Sequence, residues 1–192
     1  LSDALIEDNS MYVGQDPIST TSTAEYNVSL GTTALDAITT GDKNTAMGYD
    51  AMTNSTSATN NTAVGYESLK TNTSGANNTA NGFRALSNNT TGGQNSALGY
   101  SALRANSTAS FNTAVGYLSL FDANRTADTD GYNVALGSNA GYTGTNDVTT
   151  GNKNTLLGAS TAASAAAGTN QTVIGYGASG KGDNTVTIGN GD

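Results

Sequence analysis

Three aspartates, Asp122, Asp128 and Asp130, cluster on a short stretch of the chain. Carboxylates gathered in this way could hold a hard cation such as calcium, which takes several oxygen ligands. Their spacing matches neither an EF-hand loop nor the glycine-rich calcium nonapeptide, so no ion is assigned to them. Hydroxyl and carboxyl side chains are plentiful, yet no base stands beside a nucleophile in a recognisable motif. The chain has no His and no Cys. That removes the commonest general base, thiol nucleophiles, disulfides and the usual zinc sites. Some solenoid depolymerases use paired carboxylates, whereas the acidic residues here are scattered over turns and insertions. The expectation is a protein that is not an enzyme and carries no cofactor.

Composition excludes other classes. The 192 residues carry a net charge of −8, and only 11% are charged, against about 25% in an average domain. There is no basic stripe to track a phosphate backbone, so nucleic acid is not an expected partner. No run of 18 apolar residues forms a membrane span. The first residue is Leu1 with no leader sequence, which reads as a piece of a longer or processed chain. Small polar residues dominate, but the apolar ones are regularly placed, which argues for order rather than disorder.

That regularity is an internal repeat. Glycine recurs every 17 residues at Gly14, Gly31, Gly48, Gly65, Gly82, Gly99 and Gly116. It continues at Gly137 and Gly158 after intervals of 21, then at Gly175 and Gly189 after 17 and 14. Four residues before the glycine stand Asn27, Asn44, Asn61, Asn78, Asn95, Asn112, Asn133 and Asn154. Ala fills the position two before it in six coils, from Ala46 to Ala135, and a large aliphatic residue usually sits immediately before it. Tyr or Phe follows it at 49, 66, 83, 100, 117 and 176, and Leu or Met stands four after it from Leu35 to Leu120. The consensus is N-T-A-V-G-Y-x-[AS]-L.

Period two sorts one strand of this motif into two faces. Asn61, Ala63 and Gly65 point one way, and Thr62, Val64 and Tyr66 the other. Each repeat reads as strand, corner, a second short strand over Glu67 to Lys70, and a turn rich in Gly and Asn. One coil cannot bury its own core, but stacked coils can. The expected fold is therefore all-β: a parallel β-solenoid of about eleven coils over residues 14–192, following an N-terminal cap or junction at 1–13. The small Ala/Gly face has two readings. It packs inside the monomer, or it lets three chains approach around a three-fold axis, and the second is carried forward. The Asn column is read as a hydrogen-bonded ladder. The repeat positions singled out are Asn44, Gly48, Asn61, Gly65, Asn78, Gly82, Asn95, Gly99, Asn112 and Gly116. Four-residue insertions fall near 121–128 and 141–147, where loops on a rigid scaffold can carry recognition. The Ala-rich stretch Ala162–Ala167 is expected to distort its coil, with a helical turn.

Asn61-Thr-Ala-Val-Gly65, the same string at 112–116, and Gln171-Thr-Val-Ile-Gly175 followed by Thr185-Val-Thr-Ile-Gly189 resemble the head repeats of YadA-type trimeric autotransporter adhesins. The resemblance covers about residues 10–190. It implies a left-handed parallel β-roll, three rolls side by side as a homotrimer, and attachment to host surfaces. The 17-residue coils depart from that family's usual period and look more like repeats in tailed-phage fibres, where a C-terminal self-cleaving chaperone often follows. No binding residue is carried over, because the coil motif encodes none.

The leading expectation is a shaft segment of a trimeric phage tail fibre involved in host attachment, on a virion surface or otherwise extracellular. Alternatives are the head of a bacterial trimeric adhesin and a subunit of an end-to-end extracellular filament. Partners would be further copies of the chain and a host receptor or glycan. An ice-binding face is a further class, since Thr45, Thr62, Thr79 and Thr113 form a column. Their large Val and Tyr neighbours suggest that these threonines face the core.

Overall fold

The computed structural model describes residues 4–7, 9–14, 23–124 and 130–190. Among them twelve strands make one sheet in chain order. These are β1 (Ala4–Glu7), β2 (Ser10–Gly14), β3 (Val28–Gly31), β4 (Thr45–Met47), β5 (Thr62–Val64) and β6 (Thr79–Asn81), then β7 (Ser96–Leu98), β8 (Thr113–Val115), β9 (Val134–Leu136), β10 (Thr155–Leu157), β11 (Thr172–Ile174) and β12 (Val186–Ile188). β1 pairs antiparallel with β2, with Ala4 opposite Val13. Every later pair is parallel and in repeat register, as in Ala46 opposite Ala63 and Ala63 opposite Ala80. The chain is thus a β-solenoid: eleven parallel strands, β2 to β12, joined by ten turns at about the 17-residue spacing of the sequence repeat.

The corners are made by backbone sign changes. The repeat glycines from Gly14 to Gly175 have φ between +128° and +143°, a region that residues with a Cβ avoid. Within one coil Glu67, Leu69 and Asn77 also turn through positive φ, at 53°, 49° and 60°. The residues at the equivalent positions of the coils before and after do the same. Two left-handed residues spaced by one bend the chain too sharply for a strand. Glu67–Lys70 is accordingly a turn and not the second short strand that alternation suggested. Its amides still bond along the rod: Leu69 N–H donates to Ala85 O at 3.0 Å and Thr71 N–H to Ser87 O at 3.1 Å.

The core is a narrow cylinder. Its walls are the Ala column (Ala46, Ala63, Ala80, Ala97, Ala114 and Ala135) and the Leu column (Leu35, Met52, Leu69, Leu86, Leu103 and Leu120), all buried. This overturns the shared-axis reading of the small face. Ala63 lies inside the single chain, because the cross-section is too small to hold a large residue from both walls. Where one wall changes, the other compensates. Gly141 replaces the Leu of its coil, and a Cβ there would meet Leu120 Cδ2 at 2.7 Å and Leu156 Cδ1 at 3.1 Å. Leu156, in the Ala column of the next coil, occupies that space. Ser29 stands in the Ala column with its hydroxyl buried and without a hydrogen-bond partner. A buried unpaired hydroxyl costs about 1–3 kcal/mol. Ser29→Ala is expected to raise stability by about 1 kcal/mol, read as a higher thermal midpoint.

The Ala-rich stretch forms no helical turn. Its chain makes bends closed by Gly168 N–H to Ala165 O, and Ala166 O accepts the amides of Thr149, Thr150 and Gly151. The four extra residues of one insertion form a closed loop on the rod's flank. Val148 N–H returns to Gly141 O at 2.9 Å, the Asp147 carboxylate accepts the amides of Thr143 and Gly144, and Val148 re-enters the core. Of the other insertion, residues 125–128 lie outside the described residues. Among the described residues no helix is long and apolar enough to cross a membrane.

Candidate interaction surface

A parallel strand shows one face to the core and the other to solvent. With Asn61, Ala63 and their equivalents inside, the outward face carries the Thr, Val and Tyr columns. Thr62 and Thr79 are exposed and Thr45 and Thr113 half-buried, which corrects the expectation that the threonines face the core. Val64 and Val115 are half-buried, while Leu30, Met47, Leu98 and Leu136 are 40–51% exposed. Beside them runs a ridge of aromatic rings. Tyr49, Tyr66, Phe83, Tyr100 and Tyr117 stack at centroid spacings of 5.5, 5.1, 4.9 and 5.2 Å. That spacing follows from the separation of adjacent strands, about 4.8 Å. Stacking covers the ring faces and leaves the edges in water. Phe111 and Tyr132 form a separate stacked pair at 4.8 Å.

The ridge is braced by charge. Lys70 Nζ lies 2.8 Å from both Asp50 and Glu67, and Arg84 Nε lies 2.6 Å from Glu67. The Arg84 guanidinium also sits over the rings of Tyr66 and Phe83 at 5.7 and 5.1 Å, an attractive cation–π placement. Hydrogen bonds from Lys70 hold the Glu67 carboxyl below its usual range, with Arg84 adding to the effect. Partial burial pushes Asp50 up, but bonds from Lys70 and Thr33 outweigh it and the net direction is down. The Lys70 ammonium is correspondingly raised, chiefly by Asp50 and then Glu67. These four charges tie three successive coils together at one corner. They are mutually satisfied, which suits a brace and not a catalytic group.

The asparagines singled out from sequence lie inside. Asn44, Asn61, Asn78, Asn95 and Asn112 are buried, each in a single repeating pattern. The Asn61 side-chain carbonyl accepts the Asn78 backbone N–H at 2.8 Å, and Asn78 Nδ2 donates to Gly92 O at 2.9 Å. The Asn78 carbonyl then accepts both N–H groups of Asn95, at 3.0 and 3.2 Å. Ser10 begins the ladder by accepting the Asn27 amide, and Gln171 ends it. The glutamine side chain turns aside to Ser164 and Asp183. A second ladder, Asn72 to Asn89 to Asn106, went unread in the sequence because it spans only three coils. It stops where Ala123 takes the next place, leaving Asn106 Oδ1 buried without a donor. Gly48, Gly65, Gly82, Gly99 and Gly116 stack on one another at the corner that follows the strand. All ten positions serve the coil and reach no ligand surface.

The aspartate cluster is not brought together as a metal site among the described residues, where no three acidic side chains converge; Asp128 lies outside those residues. Burial pushes the Asp122 carboxyl up, and the nearby Asp147 charge adds to it. A concavity lies on the flank, beneath the loop at Gly141–Asp147, with a volume of about 490 Å³. The described surface thus carries an apolar and aromatic strip along the rod and a polar groove. No family model, no curated protein and no solved structure matches this chain.

Proposed function

We propose that this chain is a shaft segment of a non-enzymatic trimeric fibre that presents an attachment function on a virion or cell surface. The reading combines the solenoid architecture with the likeness of the coil motif to adhesin head and phage-fibre repeats, and it includes a left-handed winding of the coils. The observation that carries it is the outward strip. Eleven strands at about 4.8 Å make a face roughly 50 Å long and, at about three side chains across, on the order of 700 Å². The Thr column makes up about a third of that face, and the apolar remainder, a few hundred Å², matches the largest patches on monomers, which often mark interaction sites. The face as a whole approaches the roughly 800 Å² per partner of a stable interface. Its occupant in this proposal is a second and third copy of the same chain, meeting through the Leu/Val column and the aromatic ridge. Closed three-fold packing would cover the strip on every copy at once.

The test is the solution mass of the segment, by light scattering at several concentrations. A species near three times 19.2 kDa is expected, and the double substitution Leu98→Glu with Val115→Glu should convert it to monomer while leaving the β-signal intact, since both side chains point outward. A stable wild-type monomer would overturn the trimer. It would shift the reading to the outward Thr column as an ice-binding face, which thermal hysteresis detects. The unequal reach of Met47, Val64, Asn81 and Leu98 makes that face uneven and argues against it. Mass that grows without limit as concentration rises would instead indicate end-to-end filaments.

A further inference from the structure

The groove on the flank has a different chemistry from the strip. Asn139, Ser160 and Ser179 contribute polar atoms from successive coils, and Tyr142, Thr143 and Thr145 form the overhanging loop. It exists because three local departures coincide. The ring column falls to Ser138 and Ala159, the neighbouring column falls from Leu118 to Asn139, Ser160 and Gly177, and the insertion supplies a wall. Tyr142 is held in place by its ring contact with Phe121, at a centroid distance of 4.8 Å.

From this geometry we infer that the groove is a binding site for a neutral saccharide. None of the residues lining it is charged, so nothing there pairs with a phosphate or carboxylate. Hydroxyl and amide side chains both donate and accept, which matches the alternating demands of sugar hydroxyls. The Tyr142 ring on the overhanging loop supplies the apolar contact that a pyranose ring offers. The volume falls within the range of about 300–1,000 Å³ typical of small-ligand sites. The net charge of −8, with Asp147 at the base of the loop, disfavours anionic sugars. The inference goes beyond the fibre reading, and the two can fail separately, because one is read by mass and the other by saccharide contact.

The experiment is saturation-transfer NMR on the intact segment with maltohexaose, cellohexaose, mannohexaose and chitohexaose as probes, and a heparin-derived hexasaccharide as the anionic comparison. Transfer to one or more of the neutral probes is expected. Ser160→Leu should abolish it by filling the groove. The backbone accepts that change, because Leu118 occupies the same column at φ 53° where Ser160 has 54°. Tyr142→Ala should weaken transfer several-fold, and circular dichroism should show both variants folded. No transfer to any neutral probe would overturn the inference. So would transfer that survives Ser160→Leu unchanged, or a preference for the anionic probe.

Discussion

Gly65→Ala should cut the solenoid in two. The glycine has φ +129°, and an added Cβ would lie 2.5 Å from Gly82 O and 2.7 Å from Gly82 C. Both objections act at once. The backbone conformation is one that residues with a side chain avoid, and the space is already filled by backbone that cannot swing aside. Gly82 in turn presses on Gly99, where an added Cβ would collide with the Gly99 carbonyl oxygen, so relief at one coil transfers strain to the next. The expected cost is at least about 4 kcal/mol, in the range reserved for backbone strain and overpacking together. Coils touch only their neighbours, so the loss is local in origin. Hydrogen exchange should show protection lost first at β5 and β6, with the flanking coils released as separate units. Gly144→Ala is the matched control. Gly144 also has a positive φ, +82°, but nothing lies within 4 Å of its Cβ position. It should cost only about 1 kcal/mol. Equal effects at the two sites would show that conformational preference alone, and not the glycine stack, governs the corner.

The period of the repeat made the fold legible, and the same period concealed which face is inside. Alternation divides Asn61, Ala63 and Gly65 from Thr62, Val64 and Tyr66, but it is symmetric between core and solvent. Bulk pointed the wrong way, since the Val and Tyr side usually goes inward. Here the Leu column, brought in by a left-handed corner at Leu69 and its equivalents, already fills the cylinder. From Met52 to Leu120 only Ala stands opposite it, and the next larger residue in that column is Leu156, where Gly141 makes room. Those corners left no glycine in the sequence, because Glu67, Leu69 and Asn77 adopt positive φ without one. The ladder imposes that cost of about 1–2 kcal/mol each through hydrogen bonds to both neighbouring coils. The groove was legible only as four extra residues. Its shape depends on Ser138, Ala159, Ser160 and Gly177, which are ordinary small residues until their columns are aligned. With the columns aligned, the failure of the aromatic column between Tyr117 and Tyr176 is the signal that could have found it.

Asn78→Leu is expected to destabilise the rod by about 2–4 kcal/mol, although it adds apolar volume to a buried site. The asparagine has almost no exposure, and its side chain fills three roles in the ladder. Its carbonyl accepts the Asn95 backbone N–H at 3.0 Å and the Asn95 Nδ2 at 3.2 Å, and its Nδ2 donates to Gly92 O at 2.9 Å. Leucine of similar size leaves the Asn95 backbone amide without this partner in a site closed to water, and takes one of two donors from Gly92 O, which keeps Asn89 Nδ2 at 2.8 Å. That desolvation outweighs the gain of burying an aliphatic side chain, because the orphaned amide belongs to the backbone and cannot turn away. Asn78→Asp separates the two halves of the role. The carboxylate still accepts from Asn95 but has no proton for Gly92 O and places an uncompensated charge in the core. Burial should raise its pKa above the unfolded value of about 3.9. The variant then falls short of the parent by the most above its folded pKa. The deficit should shrink as the pH drops through that value, where the acid can donate to Gly92 O. Chemical denaturation of parent and both variants across acidic pH checks this. A deficit for Asn78→Asp that stays constant with pH, or an Asn78→Leu variant as stable as the parent, would show that the buried asparagines fill space and the ladder of backbone bonds alone holds the coils together.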